Sequence, residues 1–316
     1  MKSEINYRLT FQKLEVFCAV GELGSITRAA NQLFISQPVV TAHIHDLEER
    51  LGTALIQRDG RGIVLTQAGQ RVLKWAQSII TRTSELEREL SGMDGAGPGK
   101  AVIAASMSAG SYLLPPLLCD FYAVHPGGRV QVTIATPQLA LESVRAGGCD
   151  FAVVMLLPDQ NLDGMSALSL WNESLILTSA PSSRWVGTRA DRETLGRIPF
   201  ISTNSTVMHQ LEEGQLRANG VAARDIVIEL GHPEAQKEAV RRDLGVCFFL
   251  ESSVQADLRD GKLQRVQTPG LALSIPLYLV QRQDKALSPY QSELKAYIAA
   301  SRPQWVTAFA DIRDPP

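Results

Sequence analysis

An α/β chain opened by a winged helix-turn-helix is the fold class predicted, and three observations predict it. Two short helical segments meet at a tight turn near Phe34-Ile35 and are followed by a glycine-turned hairpin. A single helical period then runs over residues 67–91. Beyond a glycine-rich break, strand-like and helical runs alternate, the pattern of a largely parallel, doubly wound sheet.

Each element has a local cause. Residues 11–51 read as helices, with Ser25 and Ser36 at N-cap positions and Ala29, Ala30 and Leu33 forming a small apolar face between them. The helix after Ser36 carries Val40, Ile44, Leu47 and Leu51 at steps of four, three and four, a stripe that must face a core, and Gly52 ends it. Leu55-Ile56-Gln57-Arg58 and Ile63-Val64-Leu65 flank Asp59-Gly60-Arg61-Gly62, a hairpin. Thr66 can cap the next helix, on which Val72, Ala76, Ile79, Thr83, Leu86 and Leu90 recur in a seam that wants a partner helix, either in a second chain or in the chain's own α/β half. Ser91 to Gly99, with four glycines and a proline, breaks regular structure and reads as a linker. Strand-like runs follow at 101–105, 130–135, 151–156, 175–178, 200–201, 226–230, 246–250 and 277–280.

Composition removes whole classes of function. The 316 residues are 45% hydrophobic and 20% charged, which excludes collagenous, disordered and disulfide-scaffold chains. A net charge of -2 gives no global positive field, so a nucleic-acid site must be local. No signal peptide or spanning run is readable, and a cytoplasmic protein without membrane contact is expected. Cys18, Cys119, Cys149 and Cys247 are scattered beside apolar neighbours and are expected as reduced, buried thiols. No nucleophile elbow, phosphate-binding loop or metal-binding helix motif is present, so neither an enzyme nor a cofactor or metal is expected. His43 and His45 lie about 200° apart on a helix, a poor metal pair.

The helix after Ser36 is the candidate reader of DNA. With its apolar stripe inward, Pro38, Thr41, Ala42 and His45 turn outward, with Gln37 at the helix start. Gln pairs two-pronged with adenine, Thr reaches base edges or thymine methyls, and imidazole reaches guanine acceptors or phosphate. Ser36 and the free amides at the helix start can grip a phosphate, while Arg28, Arg58 and Arg61 can hold the backbone from the preceding helix and the wing. The same helix pair and hairpin occur in domains that never touch DNA. Charge favours that blander reading, because residues 1–66 carry seven basic and seven acidic side chains.

The motifs decide between them. Leu14-Glu15-Val16-Phe17, Gly24-Ser25-Ile26-Thr27-Arg28-Ala29-Ala30, Ile35-Ser36-Gln37-Pro38, Leu47-Glu48-Glu49-Arg50-Leu51-Gly52 and Leu65-Thr66-Gln67-Ala68-Gly69 together resemble the LysR-type transcriptional regulators. His43, His45 and Asp46 stand where members often carry basic residues. The resemblance implies a winged helix-turn-helix DNA-binding domain over 1–66, a dimerisation helix over 67–91, a hinge over 92–99 and an effector-binding domain over 100–316. It implies a homodimer, usually assembled into a tetramer, that binds a double-stranded operator, answers to a small molecule and acts on RNA polymerase access.

The effector half resembles the family's periplasmic-binding-protein-like domain. Lobe one is expected over 100–162 and 268–316 and lobe two over 163–267, with hinges at Pro158–Gly164 and Gln267–Gly270. Ligands of open α/β sheets sit beyond the carboxyl ends of strands, which selects Ser106, Met107, Ser108, Thr136, Pro137 and Gln138. The same rule selects Thr203, Asn204, Ser205 and Thr206, and then Gly231, His232 and Pro233. Hydroxyls and amides at helix starts suit a small carboxylate or other anion; any single Ser or Thr reads first as an ordinary cap, and it is their convergence at several strand ends that argues for a ligand. Glu234 to Val240, Pro276 to Arg282 and Lys285 to Ser288 are similar to the branch containing carbon-fixation and sulfur-assimilation regulators, and Asp243 stands where relatives commonly carry glycine. The alternative is a cytoplasmic solute-binding or redox-sensing protein without an operator.

Overall fold

The computed structural model describes residues 9–60, 62–93, 99–221 and 224–301. The chain divides into two compact units, the first holding the helix-turn-helix and the long helix, the second the α/β remainder. In the first, the Thr10 hydroxyl accepts the Lys13 N–H and starts α1 (Phe11–Leu23), which Gly24 ends at φ 60°. Ser25 caps α2 (Ile26–Gln32) in the same way. After a turn, α3 (Gln37–Leu51) runs to Gly52. Phe17, Val20, Ala29, Ala30, Val40, Ile44 and Leu47 form their common core. Leu51, expected in the same stripe, is 42% exposed: it is the last residue of α3 and overruns the core.

Strands β1 (Ile56–Asp59) and β2 (Gly62–Leu65) pair antiparallel as the wing. Glu48 Oε1 accepts the N–H groups of Leu55 (2.7 Å) and Ile56 (3.1 Å), and the Ile63 N–H donates to Gly24 O, so the wing is bonded to α3 and to the α1–α2 turn. Thr66 Oγ1 accepts the Gly69 N–H at 3.0 Å at the start of α4 (Gln67–Met93). The seam expected to face a partner helix is divided. Val72 packs on the helix-turn-helix core, Ala76 is fully buried with Leu14 and Cys18 of α1, and Ile79 packs on that pair. Its first half is therefore covered by the chain's own α1. Thr83 returns its hydroxyl to Ile79 O, Leu86 is 53% exposed, and the Leu90 side chain lies outside the described ones.

The second unit opens with β3 (Lys100–Ala105), a π-helical turn (Ala109–Leu113), α5 (Leu114–Val124), β4 (Arg129–Ile134), α6 (Pro137–Ala146) and β5 (Phe151–Met155). Strand β6 (Met165–Ser179) follows, then α7 (Arg192–Leu195), β7 (Pro199–Ser202), α8 (Thr206–Ala218), β8 (Asp225–Glu229), α9 (Pro233–Arg241), β9 (Cys247–Leu250) and α10 (Glu251–Arg259). Strands β10 (Gln264–Val266) and β11 (Leu273–Arg282) and helix α11 (Pro289–Ala300) complete it. The main sheet has seven strands in the order β10-β6-β11-β5-β3-β4, with β9 also on β6. Strands β7 and β8 pair parallel, and Phe200 bridges to Val246 just before β9.

The sheet is mixed rather than largely parallel. β3 pairs parallel with β4 and β5, but β11 is antiparallel to β5 and β6, and β9 and β10 are antiparallel to β6. The cause is the way the chain passes between lobes. β6 pairs with β11 from Met165 to Leu175 and with β9 and β10 from Leu175 to Ser179, so one long strand joins both sets of partners within the sheet. The β6–β11 pairing carries a bulge at Leu277/Tyr278. Ser288 and Gln291 form a capping box on α11. Tyr290, beside them, fills the space over two glycines: a Cβ on Gly99 or Gly128 would lie 2.2 or 2.3 Å from its ring. Cys18, Cys149 and Cys247 are buried, but Cys119 is exposed on α5, a departure from the four buried thiols expected.

Candidate DNA interface and interlobe cleft

The outer side of α3 is open. Gln37, Pro38, Thr41 and Ala42 are exposed, as is His45, and these five line one shallow concavity. Opposite them Val40, Ile44 and Leu47 are anchored in the core, which fixes the rotation of the helix about its axis. Thr41 Oγ1 donates to Gln37 O at 3.0 Å, which leaves Oγ1 free to act as an acceptor. Ser36 is exposed and its hydroxyl makes no cap bond, while its carbonyl accepts from Val39 and Val40. Arg58 is exposed on β1. Arg28 donates to Leu23 O, so that guanidinium is partly engaged within the unit. Arg61 lies outside the described residues. Lys13 pairs with Asp46 at 2.9 Å, and this ammonium holds the Asp46 carboxyl below its usual range.

In the α/β unit a cleft of about 700 Å³ is lined from both lobes. Ser106, Met107 and Ser108 follow β3, Thr136, Pro137 and Gln138 follow β4, Thr203, Asn204 and Ser205 follow β7, and Gly231 and Pro233 follow β8. Two predicted residues stand apart. His232 is the N-cap of α9, its Nδ1 accepting the Glu234 N–H at 3.2 Å, and it does not line the cleft; the Thr206 side chain lies outside the described ones. Thr136 Oγ1 also serves as a cap, accepting the Leu139 N–H. Ser106 Oγ is buried with no hydrogen-bond partner, a state that costs free energy unless something else supplies one. Gly231 is needed where it stands, because a Cβ there would lie 2.7 Å from Asn204 Oδ1.

The lining also includes Met155 at the end of β5, and Met208, Glu212, Gln236 and Ser253 on helices with Cys247 and Phe248 in β9, which the strand-end rule does not reach. Met208 and Glu212 stand one helical turn apart on α8, a spacing that marks a shared face but not which way the face points. Glu212 is bound by the buried Arg224 guanidinium, which also pairs with Glu213 and lies 4.9 Å over the Phe200 ring. Burial raises the Glu212 carboxyl against the pull of Arg224. Burial likewise pushes the Cys247 thiol well up, which makes it unreactive. Beside the cleft the lobes are bonded: Tyr112 of the π-helical turn donates to Glu234 of α9 at 2.8 Å, and Lys237 lies 4.8 Å over the Tyr112 ring. Lys237 also pairs with Glu234 (2.7 Å) and Asp257 (3.0 Å).

Two family models cover this architecture: residues 11–70 match the bacterial regulatory helix-turn-helix protein, lysR family, and residues 95–302 match the LysR substrate binding domain. The chain belongs to the LysR family. It is a DNA-binding transcriptional regulator. Similar LysR-type relatives include a probable RuBisCO transcriptional regulator of Cyanidium caldarium, 29% identical over 86% of this chain and 87% of that one. Another is the HTH-type transcriptional activator CmpR of Synechocystis sp., 28% identical over 92% and 95%. Among solved structures, CbnR, a LysR family transcriptional regulator, superposes with a TM-score of 0.72 at 21% identity, covering 93% of this chain and all of that one. Full-length CbnR complexed with its target DNA gives the same TM-score over 92% and 99%. In this LysR-family chain the exposed α3 face lies within the residues matched by the helix-turn-helix model and the cleft within those matched by the substrate binding domain.

Proposed function

We propose that this regulator reads an operator through Gln37, Pro38, Thr41, Ala42 and His45, with Ser36, Arg28, Arg58 and Arg61 on the phosphates, and that a small carboxylate or other anion in the cleft controls it. The observation that carries the reading is the pairing, in one chain, of a fully exposed α3 face with a separate 700 Å³ cleft lined by strand-end hydroxyls and amides. Helix starts at Pro137 and after Ser205 offer N–H groups and a positive dipole end to an anion, and Ser106 Oγ is buried without a partner. No Lys or Arg is among the described lining residues, so neutral donors hold the anion, and Glu212 meets a donor elsewhere on the ligand. Leu86, exposed on α4 beyond the stretch that α1 covers, supports a homodimer through these helices, assembled further into a tetramer. Ligand entry shifts the balance between lobe arrangements in proportion to its differential affinity for them, and with it polymerase access.

The test combines a thermal-shift screen of small carboxylates, sulfate and phosphate on the purified full chain with a footprint on the DNA upstream of its own gene. A raised Tm with one anion class and a protected stretch are expected. Gln37→Ala relaxes base preference, whereas Arg58→Ala weakens all sequences about equally. Equal loss of discrimination from both refutes the division between base and phosphate contacts, and no response to any anion refutes the ligand class.

A further inference from the structure

Phe34 stands in the turn between α2 and α3, 94% exposed, with its backbone at φ 56°. Left-handed backbone is rare for a bulky residue, and glycine is the usual occupant of the position just past a helix end. Among the described residues no core cluster includes the Phe34 ring, while Leu33 and Ile35 on either side are half-buried against the helix-turn-helix core and fix the turn. The turn closes by bonds from Phe34 N–H to Asn31 O and from Ile35 N–H to Ala30 O. The ring is therefore displayed by a rigid turn. Two residues later the chain reaches exposed Ser36, Gln37 and Pro38, the leading edge of the α3 face. Residues 1–66 are formally neutral, so this unit has less charge to spend on phosphates than a basic one, and apolar contact carries more of the grip.

We propose that Phe34 is a DNA-contacting residue, its ring lying against the deoxyribose of the strand that borders the groove entered by α3. The contact is apolar and carries no sequence information, so it positions the recognition helix on the duplex. This rests on the reading of the α3 face as the DNA interface. Strain held at an exposed turn beside a binding face is then part of the interface.

The experiment uses the full chain. Duplexes are selected by the wild type from a random-sequence pool, and Phe34→Gly, Phe34→Asn and Phe34→Tyr are measured on them over a range of salt concentrations. Phe34→Gly and Phe34→Asn both suit a left-handed backbone, so each is expected to raise the Tm of the free protein, by about 2–4 °C for a gain near one order in the unfolding constant. Both should weaken every selected duplex about tenfold with the slope of log affinity against log salt unchanged, because no charge is lost. Phe34→Tyr restores affinity. Unchanged affinity in the Gly and Asn variants overturns the proposal, as does a loss in which the salt slope falls or only some duplexes weaken. Failure of the wild type to enrich any duplex overturns the α3 reading itself, which separates the two.

Discussion

Asp150 and Lys285 form an ion pair at 3.0 Å with both side chains almost wholly buried, 1% and 2% exposed. Asp150 also accepts the Val102 N–H at 2.7 Å, so one carboxylate ties the start of β5 to β3 and to the segment after β11. Neutralising Asp150 removes the buried counter-charge that Lys285 faces at 3.0 Å: Asp150→Asn is expected to cost about 3–5 kcal/mol, read by urea denaturation, and Asp150→Asn with Lys285→Met is expected to recover part of it. A double variant no better than the single one would show that the pair is not coupled. Lys285 was visible in the sequence only as part of a family-like segment, and its role was not, because its partner lies far away in the chain. Asp243 is the reverse case. The sequence marks it as an aspartate in a glycine position, and the backbone there is indeed left-handed at φ 56°. What keeps it is tertiary: its carboxylate accepts from Ser183 Oγ at 2.6 Å and Arg184 N at 3.0 Å, and its carbonyl from Trp185 Nε1.

Among the elements, α3 and the wing behave as one piece because Glu48 holds the two N–H groups that open β1. The start of α4 belongs to the same piece. Gly69 lies so close to Leu55 that a Cβ would sit 2.0 Å from its carbonyl oxygen, a contact that requires the backbone to move. Gly69→Ala is therefore expected to destabilise the first unit by about 1–3 kcal/mol, seen in its melting, and to weaken DNA binding through a displaced wing. Retention of both melting and affinity would mean that α4 shifts without strain. The motif Leu65-Thr66-Gln67-Ala68-Gly69 made the cap legible, but not this contact. The division of the α4 seam was equally hidden, since spacing shows which residues share a face and not whether α1 or another chain covers it.

In the α/β unit taken whole, two lobes share strands β6 and β11 and are bonded to each other beside the cleft through Tyr112 and Glu234. Burial and the neighbouring Glu234 carboxylate hold the Tyr112 phenol above its usual range, so it stays a donor at any physiological pH. Tyr112→Phe keeps the ring beneath Lys237 and deletes only the hydrogen bond, which is worth about 0.5–1.5 kcal/mol. Faster hydrogen exchange is expected both in the π-helical turn and at the start of α9, together with roughly 2- to 10-fold weaker binding of the anion found in the thermal screen. Exchange altered on one side alone would show that the bond does not join the lobes.

The amino-acid order was enough for the winged helix-turn-helix, the outward set on α3 and most strand ends of the cleft. Caps, turn glycines and three- and four-residue spacings act over a few neighbours, and their physics is complete within such windows. The mixed sheet, the strands that cross between lobes, the Asp150–Lys285 pair and the helix-borne side of the cleft had to await the folded chain. Each depends on which distant segments meet, and that choice is made by burial and pairing across the molecule, for which no local pattern carries a code.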